Sequence, residues 1–286
     1  MNETRLSSAK NRKLERLYDF IEAIYHSKES SFYKSVWGNV NPKDGRIDYY
    51  SLPTIDVKHI IQHEFDKRLY VKNGLFVKVV YGNDIPFLIA VTKDSIGQES
   101  YGGILCQRPL VSFENSHESI EKGLWFYGKN IMPLAAEDNL DITLMVAERY
   151  GVDSIVGDTE SIKKLLSKAE RYIDGKKITS IILVDFCFDA DCNGSLKKYF
   201  PNAKITLVFS LSETGSLGLA CEEKADGQTF HPSENTLIET DEHGYLVATQ
   251  LIMRPTPIIK YRTRIKIKME KKSCFCGSEL SFSIRN

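Results

Sequence analysis

The sequence predicts an α/β protein: a largely parallel sheet covered by helices, with a small antiparallel barrel or meander at the C-terminus. Three observations lead there. Apolar strand-like runs alternate with amphipathic helical stretches from about Asn130 to Ser210, the pattern of crossover-connected parallel strands. The texture then changes to short β-rich runs around turn residues, "NTLIETDEHGYLVATQLIM" and "PIIKYRTRIKIKM", which reads as antiparallel. Finally, 286 residues with 42% hydrophobic and 27% charged content are enough for one large domain or two small ones with a proper core.

The elements follow in order. Leu14, Leu17, Tyr18, Ile21, Ile24 and Tyr25 recur at helical spacing, with Arg12, Lys13, Glu15, Arg16, Asp19 and Glu22 between them, so the chain opens with an amphipathic helix. "HSKESSFYKSVWGNVNPKDG" ends it, and Pro53 in "YYSLPTIDVKHII" starts new local structure. Residues 1–70 are therefore a helical lead. From Leu75, "LFVKVVYGNDIPFLIAVT" reads as a hairpin turning at Gly82, Asn83, Asp84 and Pro86. Helices are expected over Ser116–Tyr127 and Leu140–Tyr150, the second stopping at Gly151. "VDSIVG" is a short buried strand, after which Asp158 or Thr159 caps a helix with Ile162, Leu165, Leu166 and Ala169 inward. "ITSIILVDF" and "AKITLVF" are further strands around the short helix "GSLKKYF", with Ser195 as a helix-start residue. Residues 71–235 thus form an α/β core and residues 236–286 an antiparallel subdomain. Within it, Lys260, Arg262, Arg264, Lys266 and Lys268 alternate with apolar partners, one solvated basic strand face against one packed face.

Composition excludes several classes. The 38 Lys plus Arg cancel the 38 Asp plus Glu, so no overall field recruits nucleic acid or an anionic membrane. No stretch approaches the roughly 18 apolar residues of a membrane helix, and the polar start carries no signal core, which gives a cytoplasmic expectation. Six cysteines are too few for a disulfide scaffold of this length and favour thiols or a metal site. No nucleophile–histidine spacing is readable, and "DFCFDADC" reads as a loop at a strand end rather than a metal site.

These pieces, in this order, resemble the adenylate-forming (AMP-binding) acid ligases of the phenylacetate-CoA ligase type. "LERLYDFIEAIYHSKESSFYKSVW" looks like that family's first helix and its S-P-F-Y-R element, "SLPTIDVKHI" like its L-P-x-x-x-K-x-D-L motif, and "FSLSETG" like Y-G-x-[ST]-E-x-G. "ENTLIETDEHGYLVATQL" with "TPIIKYRTRI" looks like its hairpin and P-L-I-R-Y-R-T-G-D strand. The resemblance implies the N-terminal domain of such enzymes. The implied activity is acid–CoA ligation, in which a carboxylate and ATP give an acyl-adenylate and then a thioester, with an acyl or aryl acid and nucleotide as ligands. By the same resemblance Phe209 stacks on adenine, Ser212 contacts phosphate, Glu213 holds Mg²⁺, and Tyr261 and Arg262 belong to the nucleotide site, with Ser212 and Glu213 as the catalytic pair.

Several features depart from the family pattern. The phosphate loop, S-G-T-T-G-K-P in the family, is Val80-Tyr81-Gly82-Asn83-Asp84-Ile85-Pro86, with one glycine and neither hydroxyl nor lysine, a poor cradle for phosphate. Ile265 stands where an Asp would bond the ribose, and it cannot accept such bonds. The family's C-terminal lid, with its lysine, is not in these residues, so the ligase reading expects a lidless, degenerate protein or a lid supplied by a partner protein. The alternative is a catalytically inactive, zinc-stabilised relative that serves as a binding or interaction module. Zinc enters through the resemblance, which places Cys221, His231, Cys274 and Cys276 as a structural Cys₃His site. Spacing alone leaves Cys221 as a core residue and the tail cysteines as free thiols.

Overall fold

The structure is a computed structural model. It describes the chain apart from residues 1, 29–30, 39, 41–46, 71–74, 83–84, 92–107, 114–133, 137, 186–189, 222–227, 253 and 286. The expected helix Ser116–Tyr127 and the positions Asn83, Asp84 and Cys187 lie outside the described residues.

Helix α1 (Asn2–His26) buries Leu17, Ile21 and Ile24 of the stripe its periodicity predicts, and Phe20 beside them. Short helices α2 (Phe32–Trp37) and α3 (Val57–Ile61) follow, the latter opened by a capping box in which Asp56 accepts the N–H groups of Lys58 and His59. Strands β1 (Phe76–Gly82) and β2 (Ile85–Val91) form a separate antiparallel hairpin, in register from Phe76↔Val91 to Gly82↔Ile85. These parts share one core built on Tyr33, Tyr49, Ile55, Phe87 and Tyr261.

The remaining strands make one sheet: β3 (Pro109–Ser112), β4 (Leu134–Ala135), β5 (Ser154–Gly157), β6 (Ser180–Val184), β7 (Lys204–Leu211), β8 (Gly215–Ala220), β9 (Thr229–Pro232), β10 (Thr236–Thr240), β11 (Tyr245–Gln250), β12 (Tyr261–Glu270) and β13 (Ser281–Ile284). Their spatial order is β10-β11-β12-β13-β9-β8-β7-β6-β5-β3-β4. The ladders β4-β3-β5-β6-β7 are parallel and the rest are antiparallel. The expected parallel sheet is thus one end of a mixed sheet. The expected C-terminal barrel or meander is the meander β10-β11-β12-β13 at its other end, and the β9–β13 pair joins the two halves.

Helices α4 (Leu140–Tyr150), α5 (Thr159–Ala169) and α6 (Ala190–Tyr199) cover the parallel end and share a second core with Leu110, Ile155, Ile181 and Leu207. Asn139 caps α4, Gly151 ends it at φ +70°, and Asp158 rather than Thr159 caps α5. Helix α6 begins five residues before Ser195, which is mid-helix and exposed.

The segment between β11 and β12 stitches the two cores together. Tyr33 Oη donates to the Pro257 carbonyl (2.7 Å) and accepts the Ile259 N–H (3.2 Å). Thr256 Oγ1 accepts the Ala90 N–H and donates to the Ala90 carbonyl, both at 2.9 Å. Ile55 bridges Tyr261 in parallel, its N–H on Lys260 O (2.9 Å) and its carbonyl taking the Arg262 N–H (2.7 Å). Thr256→Val leaves both Ala90 groups buried and unpaired, so it is expected to cost about 1–3 kcal/mol, whereas Thr256→Ser is nearly neutral. Urea unfolding checks this as a lowered midpoint at unchanged slope.

Candidate functional site

Strand β7 is the last parallel strand, and its exit is a three-residue turn, Ser212–Thr214, closed by Gly215 at φ +77° and the pair Leu211↔Gly215. A left-handed residue is what such a hairpin turn demands of glycine. In open α/β sheets ligands bind at the carboxyl ends of strands where the topology changes, and here parallel gives way to antiparallel. Glu213 occupies that point with 7% of its surface exposed, while Ser212 is exposed and its Oγ donates to Glu213 Oε2 (3.2 Å).

Tyr261 faces the same place. It is fully buried, and its hydroxyl has no hydrogen-bond partner among the described residues. Burial pushes its phenol well above the ordinary range, and the Glu213 and Asp56 carboxylates add to the shift, so it stays a neutral donor. The end of the β1–β2 hairpin closes the other side. A Cβ on Gly82 would lie 2.4 Å from Tyr261 Oη and 2.8 Å from the Phe87 ring, so only glycine lets the hairpin approach this closely. Asp56, beside this group, would be raised by burial, but the His59 side chain and the N–H groups at the start of α3 outweigh that and hold its carboxyl below the usual range.

Two expected residues are placed differently. Phe209 is fully buried, edge-on to Phe230 (5.2 Å) and Phe282 (5.3 Å). Its ring is thus packed among aromatic neighbours at the position where the resemblance expects an adenine contact. Arg262 lies on the outer strand face, with Nε on Asp241 Oδ2 (2.7 Å) and its guanidinium over the Tyr245 ring (4.6 Å). Ile265, at the position where the resemblance expects a ribose contact, is half-buried against the sheet core. The basic face of β12 is exposed at Arg264, Lys266 and Lys268. Lys260 departs from it: it is buried at φ +49°, with Nζ near the carbonyls of Tyr49 (3.4 Å) and Tyr50 (3.5 Å). Desolvation lowers its pKa, and Glu239 and Asp48 oppose the shift.

A second cluster lies on the antiparallel half of the sheet. The ligand atoms of Cys221, His231, Cys274 and Cys276 all lie within 4.8 Å of one another. Cys221 Sγ is 3.4 Å from Cys274 Sγ, and His231 Nε2 is 3.2 Å from Cys276 Sγ. His231 Nδ1 lies 2.8 Å from the Leu280 carbonyl, which selects the tautomer that leaves Nε2 free as a ligand. The tail turns through Gly277 at φ +88°, with Gly277 N–H on Cys274 O (2.9 Å). The Cys276 backbone N–H, followed by contacts with Cys221 and Cys276 sulfur, lowers the Cys274 pKa to about 6, which favours the thiolate that a metal binds. Three sulfurs and one imidazole in a closed group are the donor set of a structural tetrahedral site.

No protein-family model and no curated protein matches the sequence. Solved structures do. A 2-hydroxyisobutyryl-CoA ligase bound to 2-HIB-AMP and CoA is similar over 96% of this chain and 66% of its own, with a TM-score of 0.76 at 13% identity. The fold is that of the acyl-CoA ligases. An open conformation of the same ligase matches 94% of this chain and 72% of its own (TM-score 0.72, 12% identity). An AMP-forming acyl-CoA synthetase-like protein from Dyadobacter fermentans matches 82% and 69% (TM-score 0.50, 11% identity). The chain thus spans about two thirds of the ligases whose fold it shares. Tyr33, Ile55 and Ile259 share a core with Tyr261, and the Glu213 carboxylate acts on its hydroxyl.

The Gly82–Tyr261 contact carried no motif signal beyond Gly82 being the lone glycine of its turn. Gly82→Ala is expected to destabilise by about 1–3 kcal/mol. Tyr261→Phe, which removes a buried unpartnered hydroxyl, should be neutral or stabilising. In the Tyr261→Phe background the Gly82→Ala penalty should shrink, a coupling that a double-mutant cycle by urea unfolding measures.

Proposed function

We propose that the chain is an adenylate-forming acid–CoA ligase-like protein in degenerate form: the Ser212–Glu213 turn meets nucleotide, while adenylate formation by the chain itself is weak or lost. One observation carries this reading. The turn, the Tyr261 hydroxyl and the hairpin end at Gly82 converge at the carboxyl end of the parallel strands, in a fold shared with a ligase solved with an acyl-adenylate. Glu213 would hold Mg²⁺, a hard cation suited to carboxylate oxygen. The exposed Ser212 hydroxyl would donate to a phosphate oxygen, and Tyr261, buried and kept neutral, would form the wall behind Glu213. The acid substrate would be an acyl or aryl carboxylate.

Burial of Phe209 and packing of Ile265 remove the usual grips on adenine and ribose, so affinity should be low. Calorimetric titration is expected to give heat with ATP·Mg²⁺ or AMP at dissociation constants on the order of 0.1–1 mM. Glu213→Gln should weaken the Mg²⁺-dependent part about tenfold, or about 1.4 kcal/mol. Absence of heat with either nucleotide would sink the reading and favour the inactive interaction module. Robust pyrophosphate exchange with a carboxylic acid would show instead that catalysis is intact.

The Cys₃His cluster fits structural zinc, because its geometry is closed, His231 is oriented by Leu280, and the tail it gathers runs directly into β13. Protein purified without chelator should carry about one equivalent of zinc by metal analysis. Cys276→Ser should lower both zinc content and melting temperature by several degrees, each kcal/mol being worth about 2–4 °C at this size. Less than half an equivalent in the wild-type protein would remove zinc from the account.

A further inference from the structure

Helix α4 has two apolar faces. Thr143, Leu144 and Ala147 point into the core, as an amphipathic helix requires. On the opposite side Ile142 is 58% exposed, Met145 47%, Val146 43% and Tyr150 36%. These positions follow i, i+3, i+4 and i+8, one continuous stripe. Four of the ten exposed large hydrophobic residues among the described ones sit on this single helix, so the exposure is patterned rather than scattered. One border of the stripe is fixed by ion pairs that tie the helix to the body: Asp141 with Lys168 (2.6 Å) and Glu148 with Lys177.

We propose that this stripe is a self-association surface, and that its partner is the α4 helix of a second copy of the chain, packed antiparallel about a two-fold axis near Met145 and Val146. The charges at its ends select that partner. Asp138, just before the N-cap, and Arg149, on the stripe in the last turn, are both exposed, and neither has an ion-pair partner among the described residues. A two-fold contact presents the same patch twice, so Ile142 of one copy faces Arg149 of the other, and Arg149 reaches the partner's Asp138 one turn beyond. Both ends of the contact then carry opposite charges, and the helix dipoles run antiparallel.

Size sets the strength. Eleven residues make a helix about 16 Å long, so the paired stripes bury on the order of 800 Å² in total, at the weak end of specific interfaces. The dimer should dissociate with a constant in the tens of micromolar, roughly 6–7 kcal/mol.

Sedimentation equilibrium on the full chain, over about 1 to 200 µM to bracket that constant, is expected to show a monomer–dimer equilibrium. Met145→Glu lies on an exposed position and should leave melting unchanged while weakening dimerisation at least tenfold. Asp138→Arg and Arg149→Asp should each weaken it, and the double variant should restore it. A wild-type protein that stays monomeric across this range overturns the proposal. So does a dimer indifferent to Met145→Glu, and failure of the charge swap to restore association overturns the antiparallel pairing.

Discussion

The segment from Arg254 to Arg262 is the joint on which both cores depend. It is buried nearly throughout and spends most of its length outside any ladder, so its backbone donors and acceptors must find partners elsewhere or carry a desolvation cost of 1–3 kcal/mol or so each. They find them in the helical lead and the hairpin: Tyr33 serves Pro257 and Ile259, Ile55 serves Lys260 and Arg262, Tyr70 N–H serves Pro255, and Thr256 reaches Ala90. The lead is therefore a structural wall of the site. Parts of the sequence more than 200 residues apart are held together by single hydroxyls and one bridge.

Lys260 shows how the joint aims the site. Its backbone is left-handed at φ +49°, a conformation that costs a non-glycine residue on the order of 1 kcal/mol. That turn is offset by the bonds it makes available: Thr249 Oγ1 accepts its N–H (2.8 Å), and its amine is sheltered over the Tyr49 ring (5.1 Å). Tyr49 is itself fixed by Glu239 (2.6 Å) and Thr249 (2.9 Å). With the backbone turned there, Tyr261 enters β12 facing inward, where Gly82 and Glu213 meet it.

Much of this was legible in the sequence, and the failures share a cause. Helical periodicity placed α1, α4 and α5, and turn residues placed the β1–β2 and β10–β11 hairpins, because those signals are local. The Cys₃His grouping was reached through resemblance and not through spacing, since its ligands come from β8's end, β9 and a tail 43 residues beyond His231. The join between the parallel and antiparallel ends of the sheet is not legible in the sequence because the β9–β13 pairing that makes it is long-range. Lys260 was misread as a strand-face lysine because alternation alone does not reveal that the strand starts one residue later. The burial of Phe209 is not legible either, because an aromatic residue four positions before a glutamate looks the same in sequence whether it faces a ligand pocket or a core.

The burial of Phe209 ties the two clusters together physically. Phe209 pairs across the ladder with Gly218, whose missing side chain makes room for the Phe282 ring: a Cβ there would lie 3.0 Å from it. Phe282 stacks on Phe230 at 5.6 Å, and both rings meet Phe209 edge-on. Phe230 is the neighbour of His231, and Phe282 lies two residues after Leu280, whose carbonyl orients His231. The Cys/His group therefore clamps the strands whose rings fix Phe209, and Phe209 sits two residues inside the strand end that carries Ser212 and Glu213. The Phe209 ring is the link through which the tail supports the turn. Core packing of this kind does not deform continuously, so the ring helps hold Glu213 at the sheet's switch point.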